Sequence, residues 1–384
     1  MHAESKLGKV LLVTNDLGPH AGGIESFILG LIGELDGSRI VIYTSSEDGD
    51  REFDKKLVEE FGVAVIRDRS KTLLPTPRVN RAVAKVMKQY GCEYIWFGAA
   101  APLGWMSGYL RREGARRIVA LTHGHEVWWS KVWPFSLIMR AMGRQIDAFG
   151  YLGDFTRGAM QRAIGDRAQM VRIAPGIAID HFLPGVKSES LIEKYTLHNK
   201  NVIVCVGRLV PRKGQDRLIE AMPEIVKRVP NAVLLLVGEG SYRKHLNSLI
   251  QKHDLAEYVK CVGRVQYSEL PAYIRLGDIF AMPSRSRLFG LEVEGLGIVY
   301  LEASSCGIPV IAGSSGGAPD AVIEGKTGFV VDGKNIDSIA QACISLLLNP
   351  ELRQSMGVSG RRWAEESWSW SMWGKRFSAL LFGE

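Results

Sequence analysis

VIVCVGRLVPRKG, residues Val202–Gly214, decides how this chain folds. Five small or branched apolar residues in a row, closed by a glycine, read as a strand buried on both faces. Strands of that kind belong to parallel sheets covered by helices on either side. The turn that follows has glycine at both ends and carries Arg208 and Lys213. Turns at the carboxyl ends of such strands are where open α/β sheets bind ligands. Backbone donors at a helix start suit a phosphate, and an Arg with a Lys is suited to neutralise a diphosphate without metal. Solvation is the ordinary fate of two loop cations; Gly207, Gly214 and the position in the fold argue against it here.

A second stretch, EGLGIVYLE (Glu294–Glu302), sets two carboxylates eight residues apart around a Gly–Ile–Val step that leads into an expected helix. Glu302 falls inside VYLEASSCGIPVIAG, an apolar context in which an unpaired charge is costly. Paired ribose hydroxyls would satisfy it. Glu294 precedes the Gly297–Val299 amides and is suited to a transferred sugar. Two solvated helix carboxylates are the plain alternative. Taken with Arg208 and Lys213, the pattern describes a site for a nucleotide-activated sugar.

Outward from these motifs, strand-like and helix-like segments alternate, as a doubly wound α/β chain requires. Strands are expected at Val10–Thr14, Ile40–Thr44, Val63–Ile66, Tyr94–Phe97 and Ile118–Leu121. After the turn-rich stretch Pro175–Gly185 the pattern restarts, with strands at Val202–Val206, Val233–Val237, Val259–Val262, Ile279–Met282 and Pro309–Ala312. Each half reads as a Rossmann-type sheet, and ligand is expected at the carboxyl strand ends, between the halves. The expected divisions are residues 1–180, 181–365 and a terminal helix at 366–384.

A length of 384 residues suits two domains. Hydrophobic content of 46% and charged content of 23% are ordinary for a soluble globular protein. No apolar run reaches the ~18–20 residues that span a bilayer, and Val10–Val13 is too short for an export signal. Five cysteines, odd in number and without a C-x-x-C pair, indicate a reducing cytoplasm, with no disulfide or zinc. The formal charge of +7 permits an anionic partner. No aromatic-basic motif or finger spacing supports nucleic acid.

Several smaller features bear on the site. GPHAGGIE (Gly18–Glu25) follows the first strand, and Gly22 and Gly23 would let backbone approach a ligand at a helix start; a tight turn explains them equally well. Gly238 in LLLVGEG and Gly263–Val265 in CVGRV end later strands, either as turn residues or as backbone contacts to a nucleotide base. THGHE (Thr122–Glu126) puts His123 and His125 on one side, but no third ligand at a recognisable spacing follows, so metal is not expected. His123 is better suited to donate a hydrogen bond to substrate, with a structural histidine as the alternative. Asp48-Gly49-Asp50 has a D-x-D shape but lies in the polar run SSEDGDRE and reads as a solvated loop.

Arg78, Arg81, Lys85 and Lys88 recur at three, four and three, with Val79, Val83, Val86, Met87 and Tyr90 between them. That is a basic amphipathic helix, either an ordinary solvated face or a contact for an anionic membrane surface. Trp363, Trp370, Trp373, Phe377 and Leu380 share one face of an expected terminal helix, read chiefly as core packing.

GRLVPRKG, LLLVGEG and the E-x7-E of EGLGIVYLE, with a downstream Gly-Ile-Pro-Val-Ile, resemble glycosyltransferase family 4. The resemblance covers nearly the whole chain, although PGIAIDHFLP (Pro175–Pro184) departs from the usual P-N-G-V-D pattern of the linker. It implies a retaining transferase of the GT-B fold, with an acceptor-binding first domain, a sugar-nucleotide-binding second domain and a last helix that crosses back onto the first. It implies that Gly207, Arg208 and Lys213 grip the donor diphosphate and that Gly22 and Gly23 close on it. Gly238, Arg264 and Val265 would read the base, and Glu302 would hold the ribose. Glu294, Gly295, Leu296, Gly297, Ile298 and Val299 would hold the sugar and phosphate, with His123 facing the sugar. His123, Glu294, Arg208 and Lys213 are the implied catalytic set, with no metal and no cofactor beyond the donor.

More narrowly, Ser284–Ala303 is similar to the bacterial phosphatidylinositol mannosyltransferases that add a second mannose. That implies GDP-mannose as donor, a lipid-linked acceptor and a peripheral position on the cytoplasmic face of the membrane. The family attacks on the same face, with the leaving phosphate helping to deprotonate the acceptor. UDP-glucose as donor, another glycolipid acceptor, a sugar-nucleotide epimerase on the same fold and a non-catalytic sugar-nucleotide binder are the alternatives. Turnover of donor without acceptor marks the epimerase. A binder would have no need of the whole charged set.

Overall fold

The computed structural model describes residues 8–19, 22–124 and 126–384, and the structural statements that follow concern those residues. His125, weighed above beside His123, lies outside them. The chain divides into two compact units: the first is Met1–Gly176 with Trp370–Glu384, the second Ile177–Ser369.

In the first unit seven strands form one sheet: β1 (Lys9–Thr14), β2 (Ile40–Ser45), β3 (Ala64–Asp68), β4 (Cys92–Phe97), β5 (Arg117–Thr122), β6 (Ala148–Tyr151) and β7 (Gln169–Arg172). Their order is β3-β2-β1-β4-β5-β6-β7, and all pairs run parallel. The direction of winding reverses between β1 and β4, so the turns after those strands diverge and leave a crevice at the carboxyl edge. The apolar runs Leu11–Val13 and Ile95–Phe97 are buried at that point.

The second unit repeats the scheme with six strands: β8 (Asn201–Val206), β9 (Ala232–Val237), β10 (Val259–Gly263), β11 (Ile279–Met282), β12 (Val310–Gly313) and β13 (Gly328–Val331). The order is β10-β9-β8-β11-β12-β13, again parallel throughout, and the reversal falls between β8 and β11.

Every expected strand is present, and three more were not anticipated. β6, β7 and β13 have four residues each, and β6 and β13 contain a glycine. Those glycines serve close packing. A Cβ on Gly150 would sit 2.4 Å from Leu121, and one on Gly328 only 1.9 Å from the Val310 carbonyl oxygen.

The expected aromatic face at the C-terminus is corrected. Trp363 ends up on the helix Pro350–Ser367 in the second unit, against Trp368, whereas the remaining aromatics lie on the separate helix Trp370–Phe382 in the first. There Trp373, Phe377 and Leu380 are buried, and Phe377 packs 4.6 Å from Trp96 of β4. The Trp370 ring occupies space left by two glycines: a Cβ on Gly30 or on Gly176 would come within 2.1 Å or 2.6 Å of it.

Candidate active site

In the second unit, chemistry gathers at the carboxyl ends of β8 and β11. After β8 the chain makes a short turn, Pro211–Lys213, and enters the helix Gln215–Arg228 through Gly214. Gly214 has φ +77°, and a Cβ there would lie 2.0 Å from the Pro283 carbonyl oxygen, so this position admits only glycine. The close approach locks the turn after β8 onto the start of the loop after β11.

Lys213 and Glu294, which belong to separate motifs in the sequence, meet as a result. The Lys213 Nζ lies 2.9 Å from Glu294 Oε2, with side chains only 11% and 8% exposed. Arg208 stands at the mouth of the same turn, exposed, and no described residue bonds to its guanidinium; only its carbonyl is engaged, by Gln215 Nε2 at 3.1 Å. The site thus offers one cation already balanced by a carboxylate and one without a protein counter-ion.

The loop after β11 is held by residues that no sequence pattern singled out. Arg285 makes a bidentate pair with Asp216, at 2.7 and 2.6 Å, and the Tyr242 hydroxyl adds a bond at 3.2 Å. Burial works to raise the Asp216 carboxyl, but the Arg285 guanidinium overrides it and holds the group below its ordinary value. The Arg285 N–H donates to the Arg212 carbonyl at 2.8 Å, and the Glu294 N–H donates to Ser315 Oγ at 3.2 Å. Asp216 follows Gly214 by two residues, which is the one local hint of its role. Because the pair is largely buried, Arg285→Ala should cost about 3 kcal/mol, leaving Asp216 without its partner. Asp216→Asn/Arg285→Ala should recover part of that loss in urea denaturation.

The helix Ile298–Ser305 starts at Gly297, and its first amides have no partner within the helix. Glu294 and Gly295 precede this helix, and Leu296 is buried beside its start. Glu302 lies one turn inside it, buried, and no described residue bonds to or pairs with its carboxylate. Burial alone pushes that carboxyl up to about 7. Gly238 packs over the first turn, where a Cβ would lie 2.1 Å from the Gly207 carbonyl oxygen. Arg264 and Val265 follow β10, the arginine exposed and the valine half-buried. One further feature was missed: the loop tip after β11 exposes Leu288 and Phe289, both at positive φ.

In the first unit, Gly22 caps the helix Gly23–Gly33 in an extended conformation, and its N–H donates to Glu25 Oε2 at 3.2 Å. Among the described residues no neighbour lies within 4 Å of where a Cβ would stand on Gly22 or Gly23. Neither glycine is therefore demanded by packing, and their faces are open. The preceding turn is tied by Arg67, which bonds the Gly18 carbonyl at 3.0 Å and pairs with Asp54. His123, at the end of β5, is half-buried; its Nε2 lies 2.6 Å from the Gly98 carbonyl oxygen and its N–H donates to the buried Glu126. A ring bonded in that way is oriented by the sheet itself.

Of the basic helix Pro77–Tyr90, Arg78 is bidentate to Asp68 and Lys88 pairs with Glu113. Arg81 bonds its own helix at the Pro77 carbonyl, and Lys85 is exposed without a described partner. Asp48 and Asp50 lie at the entry to the helix Asp50–Phe61, where Gly49 turns the chain at φ +87°. Among the described residues no three His, Cys, Asp or Glu side chains group as a metal site would require. No described helix is long and apolar enough to cross a membrane.

Two doubly wound parallel sheets, one with a cation-carboxylate set at its switch point, fit the GT-B class of glycosyltransferase. HepE of Anabaena, solved in complex with UDP, shares this fold at a TM-score of 0.81, covering 98% of this chain and 100% of that one at 19% identity. The description "Glycosyl transferases group 1" matches residues 187–363. A protein of Mycolicibacterium smegmatis is 43% identical over 97% of this chain and 98% of its own length; it is named GDP-mannose-dependent alpha-(1-6)-phosphatidylinositol monomannoside mannosyltransferase. A protein of Corynebacterium glutamicum, named for the monoacylated form of that acceptor, is 40% identical over 98% of both chains. The chain belongs to the group 1 glycosyl transferases, and it is a glycosyltransferase.

Proposed function

We propose that this enzyme transfers mannose from GDP-mannose to phosphatidylinositol monomannoside, giving the dimannoside with retention at the anomeric carbon. The likeness to the mycobacterial and corynebacterial relatives along almost the whole chain carries this reading. The local chemistry agrees with it. Arg208 and Lys213 supply two positive charges for a diphosphate, the amides from Leu296 to Val299 offer donors to phosphate and sugar, and Glu302 has a carboxylate without a partner among the described residues. On the first unit, Gly22, Gly23 and His123 are proposed as further substrate contacts.

In the proposed step the anomeric C–O bond to the β-phosphate breaks, and a new C–O bond forms on the same face from the acceptor hydroxyl. The hydroxyl proton passes to the departing phosphate oxygen, and GDP leaves. Arg208 and Lys213 stabilise the charge that develops on that oxygen, the part that a divalent cation takes in other transferases. No residue of the motifs is cast as a carboxylate nucleophile, so double displacement is not invoked. The acceptor is a lipid, so the enzyme is also proposed to work peripherally on the cytoplasmic face of a membrane.

Purified protein given radiolabelled GDP-mannose and phosphatidylinositol monomannoside in mixed micelles should produce labelled dimannoside, with and without EDTA. UDP-glucose in parallel should give no product. Label transferred from UDP-glucose alone would overturn the donor. GDP release with no lipid product would overturn the acceptor, and loss of activity in EDTA would overturn the metal-free account.

A further inference from the structure

The segment after His123 was not singled out in the sequence, yet it exposes Val132, Trp133 and Leu137, and Trp133 is the most exposed large apolar residue among those described in the first unit. From Val127 to Ile146 the chain reads VWWSKVWPFSLIMRAMGRQI, with three basic residues and no acid. It folds as two short helices, Val127–Lys131 and Phe135–Met142. Trp129, Ile138 and Met139 pack inward on the core of the unit. Trp128, Trp129 and Phe135 meet tilted or edge to face, with ring centroids 4.8 to 5.4 Å apart. That rigid aromatic cluster presents Trp133, 77% exposed, and Leu137, 51% exposed, to the outside. Lys131 and Arg140 are exposed on the same two helices.

We infer that this segment is the surface by which the enzyme rests on an anionic bilayer, Trp133 and Leu137 entering the headgroup region. The inference rests on the lipid acceptor proposed above. Exposed Trp flanked by cations and free of carboxylates fits the boundary between lipid headgroups and acyl chains. Lys131 and Arg140 add attraction to anionic headgroups, with Arg144 following on the same stretch. The basic helix Pro77–Tyr90 is the weaker contender, because Arg78 and Lys88 are neutralised by Asp68 and Glu113. The segment also begins four residues after His123, at the carboxyl edge of β5. Bilayer contact there brings that end of the sheet to the depth at which a lipid headgroup lies.

The test is sedimentation of the full chain with phosphatidylcholine vesicles, with and without phosphatidylinositol. Wild-type protein should pellet with the anionic vesicles. Trp133→Ala/Leu137→Ala should bind about tenfold more weakly or worse, given the apolar area withdrawn. Lys131→Glu/Arg140→Glu should lose the preference for phosphatidylinositol. Arg81→Ala/Lys85→Ala should bind within about twofold of wild type, since on this assignment neither cation lies at the lipid surface. Thermal melting and GDP binding check that each variant is folded, and transfer to a deacylated, water-soluble acceptor isolates the chemistry. The Trp133/Leu137 variant should keep that soluble transfer. If it pellets like wild type, or if only the Arg81/Lys85 variant is released, the inference is wrong. If wild type ignores both vesicles the membrane surface fails, while soluble transfer still decides whether the proposed reaction stands.

Discussion

Lys213→Ala should lower kcat about 10²–10³-fold and also destabilise the second unit by about 3 kcal/mol. The two losses have one origin. Lys213 is almost enclosed and lies 2.9 Å from Glu294, so its removal takes a cation from the proposed diphosphate site and leaves a buried carboxylate unpaired. The effects separate in a double variant. Lys213→Ala/Glu294→Gln replaces the stranded charge by a neutral amide and should recover most of the stability, while turnover stays low. Arg208→Ala should show the complementary pattern: exposed and without a protein counter-ion, it should cost rate and leave the urea midpoint near wild type. Unchanged turnover at saturating donor in both Lys213→Ala and Arg208→Ala would mean that leaving-group charge is stabilised by other means.

Glu302→Gln should make the free protein more stable at pH 8 and yet a poorer binder of GDP. The carboxyl is pushed up to about 7 from an ordinary value of 4.5 by burial. Between those pH values the folded chain holds a proton that the unfolded chain has released. This favours the fold fully below 4.5, and the advantage is lost as pH rises through 7. Above that, ionised Glu302 costs the unliganded fold about 3 kcal/mol, which a neutral amide avoids. Ribose hydroxyls would donate to the ionised form, so nucleotide binding should release a proton near neutrality. GDP affinity should rise with pH through about 7 and level off above 8. Glu302→Gln should flatten that profile and weaken binding about 10–100-fold, the scale of one hydrogen bond to a charged acceptor. Calorimetry in buffers of different ionisation enthalpy reads the proton directly. A flat wild-type profile, or a variant less stable than wild type at pH 8, would remove Glu302 from the nucleotide.

What could be read in advance follows from how locally each feature is encoded. Strands such as VIVCV and AVLLLV are buried on both sides, so their continuous aliphatic runs announce them. β6 and β13 are four-residue strands with glycines, and those glycines answer to neighbours distant in sequence. The cations and carboxylates of the site sit in compact motifs, each tied to a strand end. Their supports do not: Asp216, Arg285 and Ser315 acquire roles only when three loops are stacked. Trp363 was placed with the terminal aromatics because a spacing of seven persists across a break at Trp368–Ser369 that periodicity does not register. Trp133 and Leu137 carry the same composition as buried core, and only the fold turns them outward.

The return of Trp370–Glu384 to the first unit has a consequence for synthesis. The first unit begins before the second along the chain, but the helix that covers Trp96 and fills the space beside Gly30 and Gly176 is translated only after the whole of the second unit. The second unit is one unbroken stretch and has all its strands once Val331 has emerged. On the ribosome, where domains generally fold in the order they appear, this chain inverts the sequence: the unit started first is finished second. Until that helix emerges, an apolar strip on β4 waits uncovered, so a nascent chain stalled between the second unit and Trp370–Phe382 would be the species most in need of a chaperone.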